Sequence, residues 1–559
     1  MARAPEKSIA KSSRKLKANE QTASRGASSA GTKRGLWPLK LEQRRLGSLT
    51  IWQILAMAIL IVAAILRLCM LTDKVFHHDE GVNGNFMVSL FRNGYYHYDP
   101  ANYHGPTLYY AALLVSSIAS FFVGKDGLND FTVRLVTVIF GMGVVWLLLC
   151  MKKWMGSFGS LVAASLAAVS AGFVFFSRYF IHEILFVFFT LGVIVALLKF
   201  SETRRPKYMI LAAMSLGLLG ATKETWIITV GVWLIAIPCT WLWMKLRGRT
   251  TDNFWSLDLR RTEISRPKLD KEISAPVDVP WSKARLAIVA SSVFAATWIT
   301  FYSSFFTNFP QGLIDSVTTY TFWTRTSEAA NVYDWSKYFD WMGRAELPIL
   351  ILGICGIVSA LAKARSRFSV FTAFWAMGVF AAYSLIPYKT PWLALSIILP
   401  FVIISGYWFE QLSARRSLTA VLYIALVIAA IIEIRQAIEI SFFRYDDTSE
   451  TYSYAHSNRD FLNLIHEIEK IAAGNPAGKE IGITEMSLEY WPMPWYLRDY
   501  THTGYWGHFE ATEEPIIIAH QSQLPQINVK FGDRYRLIGE YDLRPGNKLY
   551  LYLRKDLQP

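Results

Sequence analysis

The sequence predicts a polytopic α-helical membrane protein with a small α/β domain at its C-terminal end. Its 559 residues are 53% hydrophobic and 15% aromatic, and the mean hydropathy is +0.26. These values are typical of a protein with many membrane-spanning helices and argue against an ordinary soluble domain. After Arg435 the charge density rises to that of a soluble protein, which predicts a separate domain outside the membrane.

The apolar runs determine the number of membrane crossings. Each run approaches the ~20 residues that a helix needs to cross the hydrocarbon core. Basic clusters between the runs, such as Lys152-Lys153 and Arg204-Arg205, belong on the cytoplasmic side under the positive-inside rule. The runs alternate correctly only if 107–124 lies at the outer face without crossing. This predicts about eleven crossings, with the N-terminus inside and the C-terminus outside. The runs are 51–72, 107–124, 131–151, 157–177, 184–200, 208–222, 225–245, 284–304, 346–363, 369–386, 391–411 and 416–437.

Composition also predicts the domain boundaries. Residues 1–49 carry 12 basic and 3 acidic side chains and predict a disordered cytoplasmic tail, because they offer too little apolar surface to fold. Residues 50–437 form the membrane domain, with a first outer loop over 73–130 that includes a juxtamembrane helix and a cytoplasmic loop over 246–283. Residues 438–559 form the outer α/β domain. Periodicity predicts its helix over 459–473 and its strands over 481–484, 515–519, 536–541 and 548–554.

This topology places every charged group with possible chemistry on the outer face. The opposite face carries only basic clusters that set the orientation. The aromatic segment 490–497 is expected either to pack inside the C-terminal domain or to cover a site at this outer face. The asymmetry predicts an active site at the outer surface of the cytoplasmic, or inner, membrane.

Asp79 and Glu80 are adjacent carboxylates that follow the first apolar run. Acidic groups at a membrane face are costly and are usually functional. Either carboxylate could take a proton from an acceptor hydroxyl or hold a divalent cation. The ordinary alternative is capping of the helix predicted over 82–92. His77, His78 and His104 are weak candidates for metal ligands, because two neighbours and one distant histidine make a poor site.

Further candidates lie at the later outer turns. Arg178 is a candidate phosphate clamp, and Glu183 is a second carboxylate that could face Asp79. Lys223 and Lys389 stand in short turns where an ammonium could stabilise a departing phosphate. Arg134, at the outer start of its helix, is a weaker candidate of the same kind. The ordinary alternatives are an interfacial ion pair for Arg178 and headgroup anchoring for the two lysines.

Other chemistries find no support in the sequence. The four cysteines are scattered through apolar segments, so they predict neither a disulfide framework nor a thiolate metal site. The basic tail next to a membrane span sets the topology of the chain, and no nucleic-acid partner is expected.

Together these motifs resemble the GT-C membrane glycosyltransferases, in particular family 39-type enzymes such as protein O-mannosyltransferases and the lipid A aminoarabinose transferases. The likeness rests on the acidic pair, the His104-Gly105-Pro106 helix start, Thr222-Lys223 and Lys389-Thr390-Pro391. The stretches 78–81 and 103–106 are most similar to the bacterial and archaeal flippase-activity-associated proteins. The resemblance covers about 50–410 and extends loosely to 491–500.

The resemblance implies an inverting glycosyltransferase with a GT-C-like fold. It would move a hexose or pentose from a polyprenyl-phosphate carrier to a glycan, lipid or protein acceptor outside the cytoplasmic membrane. Two positions depart from the pattern: Gly105 stands where the aminoarabinose transferases have a lysine, and Glu183 replaces an aspartate.

The sequence therefore assigns chemistry to two groups of side chains. Asp79 and Glu183 are also the ligands of a divalent cation, should one bind. A transporter of lipid-linked sugars and a non-catalytic scaffold for polysaccharide assembly are the alternative functions. The predicted catalytic residues are Asp79, Glu80 and Glu183, and the predicted substrate-binding residues are His104, Arg134, Arg178, Lys223 and Lys389.

Overall fold

The computed structural model describes residues 41–102, 104–249, 281–325, 331–413 and 419–557. Within these ranges eight helices are long and apolar enough to cross a membrane, and a pair of helices bent by 115° gives a ninth span if the two form one broken helix. The chain is therefore a multi-pass membrane protein. The eight helices are Ile51–Leu68, Asp130–Cys150, Glu183–Thr203, Trp226–Leu246, Lys283–Tyr302, Arg367–Leu385, Pro391–Ser413 and Ala420–Phe443, and the bent pair is Lys337–Ala345 with Leu347–Lys363.

Every apolar run of the sequence coincides with a helix. Three helices are shorter than a full span: Thr107–Val123, Ser157–Val169 and Pro206–Gly220. Two of these, together with the eight spans and the bent pair, would give eleven crossings, with Thr107–Val123 left over. The crossing number and the orientation remain predictions, because length and composition alone do not decide whether the short helices cross.

Two predicted polar segments fall largely outside the described residues. These are the tail, of which 1–40 is not described, and the cytoplasmic loop, of which 250–280 is not described. The described end of the tail includes a small antiparallel pair, Arg45–Leu46 with Leu49–Thr50. Thr50 then caps the first spanning helix by accepting a hydrogen bond from the Gln53 amide.

The His104-Gly105-Pro106 segment is attached to the turn at 221–223 by backbone hydrogen bonds. The Gly105 amide donates to the Thr222 carbonyl at 3.0 Å, and the Thr107 amide donates to the Ala221 carbonyl at 3.3 Å. A Cβ atom added at Gly105 would lie 2.1 Å from the Ala221 carbonyl oxygen. Only glycine allows this approach, which explains why no lysine stands at this position.

The C-terminal region contains the predicted small α/β domain, built on a five-stranded sheet. The first three strands in spatial order are parallel to one another. The fourth strand runs antiparallel to both of its neighbours, the third and the fifth. Helices cover both faces: Phe461–Gly474 packs on one and Leu524–Phe531 on the other. The spatial order is Thr503–Tyr505, Ile483–Glu485, Ile516–His520, Asn547–Arg554 and Tyr535–Arg544.

The sequence analysis identified four of these strands and one helix. It missed Thr503–Tyr505 and Leu524–Phe531. The strand is centred on a glycine, a residue depleted in strands, and the helix has only eight residues, too few for its periodicity to be clear.

Trp495 fastens this domain to the membrane domain. Its side chain is fully buried and stacks on Phe76 with ring centroids 4.8 Å apart. Its indole nitrogen donates to the Asp130 carboxylate at 2.8 Å. A Cβ atom at Gly84, on the helix His78–Asn93, would lie 2.6 Å from the Trp495 ring. The aromatic segment therefore packs between the two domains.

We predict that Trp495→Ala separates the two domains without unfolding either. Removing a buried tryptophan costs about 3–5 kcal/mol, and all of its contacts described above lie at the interface. Limited proteolysis should then release the C-terminal domain, and the melting temperature should fall. Trp506→Ala is the matched control, because that side chain is 49% exposed. Equal protease resistance in both variants would contradict this role.

We predict that Gly105→Ala disrupts the attachment of the His104 segment. The new methyl group meets backbone atoms that cannot rotate away, and overpacking of this kind costs about 1–3 kcal/mol or more. Thermal unfolding of the purified protein measures the effect. Gly231→Ala is the control, since that helical glycine has open space around its Cβ position. A Gly105→Ala protein as stable as the control would show that the close approach is not required.

Candidate functional site

A cavity of about 390 Å³ lies where the membrane domain meets the C-terminal domain. Four of the eight predicted site residues line it, and the other four do not appear among its described lining residues. Side chains from the C-terminal domain complete its wall. The four predicted residues at the cavity are Asp79, His104, Glu183 and Lys223.

Asp79 stands in the first turn of the helix His78–Asn93. The capping role that either carboxylate could have filled belongs to its neighbour: the His77 amide donates to the Glu80 carboxylate at 3.0 Å. The Asp79 amide in turn donates to Nδ1 of His77 at 3.0 Å. The Asp79 carboxylate is therefore left free of the cap, and its side chain is 40% exposed.

The surroundings of Asp79 keep its carboxyl group ionised. Burial raises the pKa of Asp79, but the imidazoles of His77, His78 and His104 and the Lys223 ammonium lower it by more. The net result is a pKa below the ordinary value of 3.8. Asp79 is thus a carboxylate anion at neutral pH, beside an open cavity.

Glu80 has a different environment from Asp79. Its side chain is fully buried and pairs with Arg134, whose Nε and Nη2 atoms each lie 2.8 Å from a carboxylate oxygen. The Phe180 amide also donates to Glu80, at 2.8 Å. Burial raises the pKa of Glu80, but the charge and hydrogen bonds of Arg134, the Lys74 ammonium and the His77 amide together lower it below its ordinary value. The structure thus places the predicted catalytic Glu80 and the predicted substrate contact Arg134 in a buried ion pair away from the cavity.

Arg178 also lies away from the cavity. Its guanidinium donates to the carbonyls of residues 66, 67, 69 and 70, at 2.6–3.2 Å. These carbonyls belong to the end of the first spanning helix, where no intrahelical partner is available. Arg178 is therefore a helix cap in this structure, where the sequence predicted a phosphate clamp.

Lys389 has its ammonium turned toward the backbone. It is buried and donates to the carbonyls of Tyr333, at 3.3 Å, and Ile386. Its neighbours Tyr388 and Thr390 line the cavity. In this structure Lys389 therefore stabilises the loop through backbone hydrogen bonds. The sequence predicted a contact to the donor phosphate instead.

Lys223 and Glu183 form a close ion pair at the cavity wall, with 2.5 Å between Nζ and Oε1. Burial lowers the pKa of Lys223, but the carboxylates of Glu183 and Glu224 raise it above its ordinary value. Glu224 also lies 3.1 Å from Nδ1 of His104. The sequence analysis did not assign Glu224 to the site, although its position directly after Lys223 was a signal for it.

His182 also lines the cavity and supports this wall. Its Nε2 lies 2.9 Å from the Gly105 carbonyl, so Nε2 carries the proton and donates. Burial lowers the pKa of His182 well below its ordinary value. A neutral, buried His182 thus holds the segment that presents His104.

The C-terminal domain contributes residues that the sequence analysis missed. Arg544 donates to the Glu489 carboxylate at 2.7 Å and to Nδ1 of His78 at 3.1 Å. All three residues line the cavity. Nothing in the sequence links Arg544 to His78, which lies 466 positions earlier.

No group of three or more His, Cys, Asp or Glu side chains in the described ranges is arranged to hold a metal ion. The two carboxylates proposed as cation ligands both line the cavity. One of them, Glu183, has an oxygen bound to the Lys223 ammonium.

A known family matches part of the chain. The sequence model described as "Dolichyl-phosphate-mannose-protein mannosyltransferase" matches residues 103–252. The matched region contains three of the four predicted site residues that line the cavity, His104, Glu183 and Lys223. No curated protein matches the sequence.

Solved structures show a broader similarity. ArnT from Cupriavidus metallidurans, bound to undecaprenyl phosphate, has a TM-score of 0.59 at 12% identity, over 91% of this chain and 99% of that one. Its apo state has a TM-score of 0.56 at 12% identity, over 89% and 97%. The Archaeoglobus fulgidus oligosaccharyltransferase has a TM-score of 0.49 at 14% identity, over 81% and 63%.

At these identities the comparison concerns the fold. The similarity to ArnT extends over nearly the whole of both chains and includes the C-terminal domain. The resemblance that the acidic pair and the His-Gly-Pro motif predicted is thereby confirmed, and this chain has the fold of the GT-C membrane glycosyltransferases.

Proposed function

We propose that this protein is a glycosyltransferase that moves a sugar from a polyprenyl-phosphate carrier to an acceptor outside the cytoplasm. The observation that carries the proposal is an ionised, partly exposed Asp79 in a cavity that also holds the cations Lys223 and Arg544. The family match to mannosyltransferases that use dolichyl phosphate and the ArnT structure with undecaprenyl phosphate support the same reaction class.

In the proposed reaction Asp79 is the general base. Its carboxylate takes the proton of an acceptor hydroxyl while that oxygen attacks the anomeric carbon of the sugar. The bond between this carbon and the phosphate oxygen breaks, and the polyprenyl phosphate leaves with the bonding electrons. Because attack and departure occur on opposite faces in one step, the anomeric configuration inverts.

Lys223 supplies positive charge near the leaving group. Charge that develops on a departing phosphate is stabilised best by groups that are fixed in place before the reaction. The ion pair with Glu183 fixes the Lys223 ammonium at the cavity wall. Glu183 is therefore a positioning residue in this proposal, and Lys223 is the group that contacts substrate.

His104 and Glu224 form a polar pair suited to sugar hydroxyls. Nδ1 of His104 and the Glu224 carboxylate lie 3.1 Å apart, and the His104 side chain is 28% exposed. Aromatic side chains at the cavity, including Trp392 and Tyr388, offer flat apolar faces against which a sugar ring can pack.

The proposal also includes the location of the site. The basic clusters between helices support an N-terminus inside and a C-terminus outside. The cavity would then open at the outer face of the cytoplasmic membrane, where a polyprenyl-linked sugar and an acceptor glycan, lipid or protein can meet.

We predict that Asp79→Asn abolishes transfer while leaving the protein folded. Loss of a general base reduces rates by about 10²–10⁴-fold. Glycan profiling of a deletion strain, complemented at matched membrane abundance, should show that the wild type restores the missing sugar and Asp79→Asn does not. Full restoration by Asp79→Asn would contradict the proposal and favour a transporter or a scaffold.

The neighbouring carboxylate provides a matched comparison. Glu80→Gln leaves the buried Arg134 without its counter-charge, and breaking a buried ion pair costs about 3–5 kcal/mol. We predict low abundance and a lower melting temperature for Glu80→Gln, whereas Asp79→Asn should keep the melting temperature of the wild type. Equal stability of both variants would argue that Glu80 has no structural role.

We predict that the acidic limb of the pH–rate profile lies below about pH 4 for Asp79. Its pKa is below 3.8 in the folded protein, so acidification from pH 8 to pH 5 leaves the base ionised. Rates should be measured with the wild type and with His104→Gln, which removes an imidazole from the cavity wall. An acidic limb near pH 6 that persists in His104→Gln would contradict Asp79 as the base.

A further inference from the structure

Arg544 is the point at which the C-terminal domain reaches the cavity. It is the last residue of the strand Tyr535–Arg544, in the hairpin that continues into Asn547–Arg554. Glu489 reaches the same cavity from the loop that follows the strand Ile483–Glu485. Both side chains thus arrive from outside the membrane domain.

The Arg544 guanidinium is buried but has spare donors. Its side chain is 10% exposed. Nη2 donates to the Trp491 carbonyl at 2.6 Å and to Nδ1 of His78 at 3.1 Å, and Nη1 donates to Glu489 at 2.7 Å. Within the described part of the chain, the buried Nε has no hydrogen-bond partner. A guanidinium has five N–H donors, and these three hydrogen bonds leave two of them for an anionic ligand.

Glu489 is a replaceable partner for this cation. Its side chain is 44% exposed, and it lines the same cavity as Arg544. Water reaches an exposed carboxylate and screens its charge, so this ion pair is weaker than one in which both partners are buried. A ligand that brings its own negative charge into the cavity can therefore take the place of the Glu489 carboxylate.

The other cation at the cavity is less accessible to an anion. Lys223 and Glu183 are both nearly fully buried, and their charged atoms lie 2.5 Å apart. Among the described lining residues, the carboxylates Asp79, Glu183, Glu224 and Glu489 outnumber the cations Lys223 and Arg544. Of the two cations, Arg544 is therefore the one whose counter-ion can move away when a phosphate arrives, and Lys223 adds its charge from a fixed ion pair.

We propose that Arg544 binds the phosphate of the polyprenyl carrier, and that Glu489 occupies the guanidinium until the carrier arrives. The guanidinium suits a phosphate, because once Glu489 leaves Nη1, this nitrogen can donate charge-assisted hydrogen bonds to phosphate oxygens. The C-terminal domain would then be part of the donor site. Glu489 would neutralise the Arg544 charge in the absence of the carrier phosphate. This inference rests on the proposed function and assigns its donor-binding residue.

Arg544 also determines which ring nitrogen of His78 carries the proton. Because an arginine can only donate, Nδ1 of His78 accepts, and the imidazole proton sits on Nε2. Burial lowers the pKa of His78 to about 4, so the ring is neutral at physiological pH. His78 lines the cavity and offers this N–H as a second donor next to Asp79.

Binding of undecaprenyl phosphate to the purified full-length protein tests the inference. Native mass spectrometry gives the dissociation constants, with undecaprenol as the uncharged probe. Arg544→Gln should weaken undecaprenyl phosphate about tenfold to a hundredfold, the range expected for a hydrogen bond to a charged group. Glu489→Gln should bind it as tightly as the wild type or more tightly. Undecaprenol should bind all variants equally.

A control variant and a stability measurement separate binding from folding. Lys548→Gln removes one positive charge from the same hairpin, at a side chain that is 41% exposed, and should bind like the wild type. If Arg544→Gln and Glu489→Gln weaken binding alike and melt at lower temperature, the pair only docks the hairpin and the inference is overturned.

Two further outcomes are also decisive. Unchanged binding in Arg544→Gln would overturn the role of Arg544 while leaving the proposed function intact. A wild-type protein that does not distinguish undecaprenyl phosphate from undecaprenol would overturn the proposed function itself, and this inference with it.

Discussion

The ion pair between Arg134 and Glu80 is the interaction on which the rest of the site depends. Arg134 also donates to the carbonyls of Leu71 and Lys74, and Glu80 accepts from the Phe180 amide. The buried pair thus joins three segments: the loop after the first span, the helix start and the turn at Phe180. Because Glu80 satisfies the helix cap and this cation together, its neighbour Asp79 remains free for the cavity. One carboxylate of the pair thus supports the fold, and the other is available for chemistry.

The same division between support and chemistry recurs around the cavity. Gly105 allows two backbone segments to approach closely, and His182 fixes the carbonyl of that glycine, so that His104 and Lys223 meet at one wall. Arg178 and Lys389 satisfy backbone carbonyls that would otherwise be unpaired. Charged residues at the ends of membrane helices are costly to bury without partners. Here most of them have partners, because they form hydrogen bonds that stabilise the neighbouring loops. The few that remain open to the cavity form the candidate active site.

The features that could be predicted from the sequence are those that depend on a local pattern of residues. The twelve apolar runs are helices because hydrophobicity alone determines them, and the four predicted strands of the C-terminal domain follow from short alternating runs. Asp79, Glu183 and Lys223 could be identified because each interrupts or borders an apolar run. The roles of Glu80, Arg178 and Lys389 depend on which carbonyl or guanidinium packs against them, and a single sequence does not contain that information. Arg544 was beyond prediction for the same reason.

Photo-crosslinking with a polyprenyl phosphate that carries a reactive group near its phosphate tests the central claim most directly. Peptide mapping would locate the bound headgroup in the full-length protein. The account predicts labels in the cavity segments that contain Asp79, Lys223, Glu489 and Arg544, and competition by unlabelled undecaprenyl phosphate. Labels confined to the basic clusters at 152–153 and 204–205 would place the headgroup at the opposite membrane face and contradict the account.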